Sequence, residues 1–197
     1  MQGQPQRPDY DQSPKRLLVR AAPGFTSLVA PDLRWRDARP TALPAAMREA
    51  DLVWEVEAAD GSDMGERLAE YGIRLMRQHR MPVRSVVVFL REARNVPVPP
   101  YVAIWSGREL LRYDYDVVRL WSVPQSRVLE TRHYTLWPLA SLMQGVTPQT
   151  TLDVAERIAR APLPLEDRRE LTGHLALLAG RRLSPSLVQE LLRRNGM

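Results

Sequence analysis

The run Met64-Gly-Glu-Arg-Leu-Ala-Glu-Tyr-Gly-Ile-Arg-Leu-Met-Arg-Gln-His-Arg80, followed after Met81 and Pro82 by Val83-Arg-Ser-Val-Val-Val-Phe-Leu90, decides the fold. In its first part Met64, Leu68, Tyr71, Leu75 and Met76 recur at spacings of three and four, which predicts an amphipathic helix. Asp63 stands where an N-cap is expected, and His79-Arg80 suits the negative end of the helix dipole. Pro82 stops the helix. The second part is almost wholly apolar, as a strand buried on both faces should be. A helix that leads directly into such a strand is the latter half of a β-α-β crossover, so its first strand must lie upstream.

That strand is Asp51-Leu-Val-Trp-Glu-Val-Glu57, which ends at the turn signal Ala58-Ala-Asp-Gly-Ser62. Strand alternation assigns Asp51, Val53, Glu55 and Glu57 to one face and Leu52, Trp54 and Val56 to the other. Three carboxylates thus share a side, roughly 6.5 Å apart at i and i+2, and long Glu side chains can converge across that gap. Oxygen donors in this arrangement suit a hard divalent cation. The plainer reading is a solvent-facing strand that happens to be acidic.

Around this centre the chain is expected to form a single α/β domain with a helical appendage. Residues 1–10 are polar and expected to be disordered. Residues 11–140 read as the α/β domain: a helix from Lys15 to Ala22 entered through Asp11-Gln-Ser-Pro14, a break at Pro23-Gly24, and a second helical piece from Phe25 to Val29. An irregular strand lies within Asp32 to Leu43. After the buried strand come a proline-rich loop, then strands Tyr101 to Trp105 and Glu109 to Trp121 around a Ser106-Gly107 turn. Tyr113, Tyr115, Val117, Arg119 and Trp121 fall on one side of the second. Leu136-Trp-Pro-Leu139 reads as an apolar plug. Residues 141–197 read as the appendage, with amphipathic helices at Thr151 to Arg160, Leu165 to Ala179 and Ser184 to Arg194.

Composition narrows the chemistry. The 197 residues carry a net charge of +5 and no cysteine, which excludes disulfides, thiolate metal sites and a cysteine nucleophile. His79, His133 and His174 have no metal-ligand spacing. Lys15 is the only lysine, so lysine chemistry has one source. No apolar run is long enough for a membrane span, no signal-peptide pattern is visible, and a cytoplasmic location without membrane partners is expected. Neither a Walker loop nor Gly-x-Gly-x-x-Gly occurs. Arg74, Arg77, Arg80 and Arg84 could meet a phosphate backbone or form a solvated face; Tyr113, Tyr115 and Trp121 could stack on bases or fill the core.

Several stretches, in order, resemble the recombination-promoting nuclease / putative transposase family, a branch of the PD-(D/E)XK nuclease superfamily. They are Asp11-Gln-Ser-Pro-Lys15, Thr41-Ala-Leu-Pro44 leading into Arg48-Glu-Ala-Asp51, Met64 to Leu75, Pro82 to Leu90, Asp116-Val-Val-Arg-Leu-Trp121, and Leu136-Trp-Pro-Leu139 with the helices after it. The resemblance implies a restriction-endonuclease-like mixed sheet flanked by helices, DNA as partner, and Mg²⁺-dependent phosphodiester hydrolysis. It also implies an Asp at the start of one strand and Glu-x-Gln or Glu-x-Lys on the next. Asp51 fits the first position, but there is no room for a further strand between Gly61 and Met64. Alternatively Glu55-Val56-Glu57 overlies Glu-x-Gln, with Glu57 in place of the amide or lysine. Either way Asp51, Glu55 and Glu57 are the candidate catalytic and metal-holding residues. Two other readings stand beside the enzyme: a non-catalytic DNA- or protein-binding module on the same fold, and a homo-oligomer built on an open strand edge.

Overall fold

Leu52–Glu57 (β1), Met64–His79 (α1) and Arg84–Phe89 (β2) form the expected β-α-β crossover, with β1 and β2 paired in parallel from Leu52 beside Arg84 to Glu57 beside Phe89. The structure is a computed structural model that describes residues 21–24, 26–28, 52–57, 63–93, 95–180, 186, 189 and 193; for residues 52–57 and His79 it gives the backbone alone. The chain divides into two compact units, Arg39–Val123 and Pro124–Met197 together with Met1–Ala38.

In the first unit β2 is the middle strand of a three-stranded parallel sheet, with β1 on one side and a third strand on the other. All of Ser85 to Leu90 is buried, as a strand covered on both faces requires. α1 lays Met64, Leu68 and Ala69 against Val87 and Phe89, and Tyr113 and Tyr115 complete that core. Burying side chains of this size contributes about 1.5–3 kcal/mol each, which is why an amphipathic helix and an apolar strand seek each other. Two glycines let α1 approach. A Cβ on Gly65 would come within 3.1 Å of Tyr101 Cβ and 3.2 Å of the Tyr115 hydroxyl. A Cβ on Gly72 would overlap the hydroxyl of Tyr113.

Two local expectations fail, one at the start of α1 and one beyond β2. Asp63 occupies the N-cap position but makes no capping hydrogen bond; its backbone (φ −99°, ψ 2°) is not the extended conformation that turns a cap side chain onto the first amides. Its carboxylate lies 3.9 Å from Arg67 instead. At the other end Arg80 takes a left-handed conformation and its N–H bonds to the Met76 carbonyl, closing the helix as a glycine more often does.

Glu109 to Trp121 is not one strand. Tyr101–Trp105 (β3) and Arg108–Tyr113 (β4) make an antiparallel hairpin of their own, while Asp116–Arg119 (β5) joins the parallel sheet beside β2. Two buried tyrosines force the break. The Tyr113 hydroxyl reaches Ser85 Oγ at 2.7 Å inside the core, and the Tyr115 N–H turns onto the Asp114 carboxylate at 3.1 Å rather than continuing a ladder. Trp121 then lies in a single 3-10 turn, Leu120–Ser122.

The second unit contains Ser126–Leu129 (α2), a 3-10 segment Tyr134–Leu142, Pro148–Arg160 (α3) and Leu165–Ala179 (α4). The apolar plug lies in the 3-10 segment, with Leu136, Leu139, Leu142 and Met143 buried. α3 starts earlier than the apolar pattern suggests because Pro148 takes the first helical position behind a capping box. The Thr150 N–H donates to Thr147 Oγ1 at 3.1 Å and the Thr147 N–H donates to Thr150 Oγ1 at 2.9 Å. Residues 186, 189 and 193 are helical, and the rest of the third expected helix lies outside the described residues. Pro23-Gly24, expected as a helix break, lies in helical backbone at 21–24. Gly24 serves packing there: a Cβ would come within 2.7 Å of Leu136 and 2.8 Å of His133. The protein is thus a mixed α/β molecule with helices toward its C-terminus. Among the described residues no helix is long and apolar enough to cross a membrane.

Candidate functional site

Parallel strands bring their carboxyl ends to one edge, and in open α/β sheets that edge is where ligands bind. Register aligns the last residues of all three strands, Glu57 of β1, Phe89 of β2 and Arg119 of β5. Two residues earlier come Glu55, Val87 and Val117. At about 4.8 Å between neighbouring strands, the Glu57 and Arg119 backbones stand about 10 Å apart. Between them in the row stands Phe89, which is fully buried in the core.

Of the three candidate carboxylates, Glu55 and Glu57 lie on β1 and Asp51 lies outside the described residues. The strand therefore exists, in the register the crossover requires. Glu55 and Glu57 carry the oxygen donors that a hard cation such as Mg²⁺ takes. Among the described residues no group of three His, Asp or Glu side chains could hold a metal ion.

Arg119 is a residue that the sequence reading placed on a strand face but did not single out as a site candidate. Its carbonyl accepts from Ser122 Oγ at 2.9 Å, while its half-buried guanidinium makes no ion pair among the described residues. A charged residue inside Val117-Val-Arg-Leu-Trp121 was the available signal, but only the parallel pairing of β5 puts it in a row with Glu57.

The other basic and aromatic candidates divide. Arg74 is paired with Glu70 at 2.6 Å and Arg84 with Asp116 at 2.7 Å, so two of the four arginines have carboxylate partners. Arg77 and Arg80 are exposed. Tyr113 and Tyr115 are core residues, and Trp121 packs on Phe89 edge to face with ring centres 6.5 Å apart; none of the three is a base-stacking surface. Burial and, second, the Asp114 carboxylate raise the Tyr115 hydroxyl above the usual tyrosine range. His133 caps the 3-10 segment without a side-chain cap bond and His174 is buried in α4. Among the described residues the exposed aromatic is Trp105, at the tip of the β3–β4 hairpin, where nothing in the alternation pattern marks it as different from a core tryptophan. Comparison with family models, with curated proteins and with solved structures gave no significant match to this chain.

Proposed function

We propose that this protein is a DNA-binding homologue of the PD-(D/E)XK nucleases, of the recombination-promoting type, working on DNA in the cytoplasm with a weakened hydrolytic site. The observation that carries the reading is the row Glu57, Phe89, Arg119 at the carboxyl edge of a parallel β-α-β sheet. It supports an acidic strand, β1, as the strand that bears the reactive carboxylates, with the sheet and α1 as the restriction-endonuclease-like core. Asp51, Glu55 and Glu57 are the residues that would hold Mg²⁺. A bound Mg²⁺ would polarise the phosphate and lower the pKa of a coordinated water.

The chain's own groups set the rest. An ionised Glu57 accepts hydrogen bonds but donates none, so it cannot orient a phosphate oxygen as Gln or Lys would. It also adds negative charge near an anionic substrate, at a cost that grows as water leaves the site. Arg119 offsets this charge and offers a fork to a phosphate, yet it cannot serve as a base near neutral pH. Binding is therefore the stronger activity and cutting the weaker one. The Glu57 substitution favours a second reading, a non-catalytic DNA- or protein-binding module on the same fold.

The test is supercoiled-plasmid nicking with and without millimolar Mg²⁺. The wild-type chain should bind DNA in a salt-sensitive manner and nick slowly or not at all, and Glu57→Gln or Glu57→Lys should gain Mg²⁺-dependent nicking that Asp51→Asn removes. Robust wild-type cleavage indifferent to Glu57 would refute the assignment of the site.

A further inference from the structure

The β3–β4 hairpin ends in a surface used by neither the core nor the strand-end row. Its two turn residues, Ser106 (φ 48°) and Gly107 (φ 75°), are both left-handed, the geometry that follows the right-handed twist of a tight hairpin. Toward the base, Tyr101 and Leu111 pack on the core and Tyr113 is buried within it. Register then shifts between Ala103 and Ile104, so that Leu110 is skipped, Ile104 pairs with Glu109 and Trp105 pairs with Arg108. A bulge of this kind bends and re-aims a strand. Beyond it Ile104, Trp105 and Leu110 are 67%, 72% and 67% exposed. Trp105 and Arg108 pair across the turn and so lie on one side of the hairpin, with Ile104 on the other; Trp105 and Arg108 are therefore the two side chains that one ligand can meet together.

Charge decides what it meets. The Glu109 carboxylate accepts two hydrogen bonds from Arg112, Nε at 2.9 Å and Nη2 at 2.8 Å, so the tip presents no unneutralised carboxylate. Arg108 is exposed and makes no ion pair among the described residues. A second copy docked tip to tip would oppose Arg108 to Arg108, because a two-fold contact sets each patch against itself. Flat rings strung on phosphates match both features: a base stacks on an indole and a phosphate meets the guanidinium.

We infer that the hairpin tip stacks Trp105 on an unpaired base of DNA while Arg108 holds the adjoining phosphate. The inference rests on the DNA-binding reading above and gives that reading a preference: a duplex with an unpaired base should bind more tightly than a fully paired one.

The test measures binding of the full chain, by fluorescence anisotropy at fixed low salt, to two labelled duplexes that differ only in a single unpaired nucleotide. Wild type should favour the interrupted duplex. Trp105→Ala should bind it about 5- to 150-fold more weakly, the range that loss of one stacked base gives, and lose the preference; Trp105→Phe should keep most of it. The circular dichroism of Trp105→Ala should match wild type, since the residue lies outside the core. Equal wild-type binding to both duplexes, unchanged in Trp105→Ala, would overturn the hairpin inference and leave the DNA reading standing. No wild-type binding to either duplex would overturn both. Unchanged DNA affinity with a loss of self-association on sedimentation would also overturn the inference and assign the tip to a contact between copies.

Discussion

Replacing Gly72 by alanine sets two physical effects of opposite sign against each other. On helix propensity alone the change should stabilise α1 by about 1 kcal/mol. The packing argues the reverse. A Cβ at this position overlaps the Tyr113 hydroxyl and comes within 3.0 Å of Tyr113 Cε2. The ring must move, and with it goes the buried 2.7 Å hydrogen bond to Ser85. Overpacking of this kind costs about 1–3 kcal/mol, and leaving a buried hydroxyl unpaired costs about 1–3 kcal/mol more. Less the propensity gain, Gly72→Ala should destabilise the Arg39–Val123 unit by about 1–5 kcal/mol. Urea unfolding followed by circular dichroism reads this as a lowered midpoint with an unchanged slope. A double-mutant cycle adds a stricter condition. In a Tyr113→Leu background the obstructing ring end is gone, so Gly72→Ala should cost much less there than in wild type. A stabilised Gly72→Ala, or costs that simply add in the double variant, would refute the packing of α1 on Tyr113.

Four further outcomes follow from the same contacts. Ser85→Ala should lose about 1–3 kcal/mol because it strands the buried Tyr113 hydroxyl, measurable by the same unfolding assay. Thr147→Ala should cost about 1 kcal/mol by removing the α3 cap, whereas Thr147→Asp should be nearly neutral. The raised pKa of Tyr115 means the folded state favours its neutral phenol; that stabilisation is complete below about pH 10, the unfolded tyrosine value, and is lost as pH rises through the folded pKa. Tyr115→Phe should accordingly flatten the alkaline limb of the urea midpoint against pH. Arg119→Ala should weaken duplex binding and abolish any nicking gained by Glu57→Gln, while the circular dichroism of the fold stays unchanged.

The sequence alone determined the crossover and its core. Periodicity is a local property, and the 3.6-residue recurrence through α1 and the unbroken apolar run of β2 each state which face needs covering. Together they left one arrangement for β1, which the parallel register confirms from Leu52 to Glu57. The helices α3 and α4 were legible for the same reason, whereas the choice between core and surface for Tyr113 and Tyr115 was left to the structure. Tertiary structure decided what pattern cannot carry. Alternation ran unbroken from Tyr113 to Trp121, so nothing local announced that the chain leaves one sheet and enters another between them; the Tyr113–Ser85 bond and the demand of two tyrosines on one core made that break. Pro23-Gly24 looked like a stop, yet Gly24 is there because Leu136 and His133, more than a hundred positions away, leave no space for a Cβ. The candidate site divides along the same line. Glu55 and Glu57 were readable as carboxylates sharing one strand face, but Arg119 joins their row only through strand pairing, and the exposure of Trp105 at the hairpin tip, beyond a register shift, is a property of the folded hairpin. Side-chain type and spacing are written along the chain, whereas adjacency across sixty residues is a consequence of burying all the apolar faces at once.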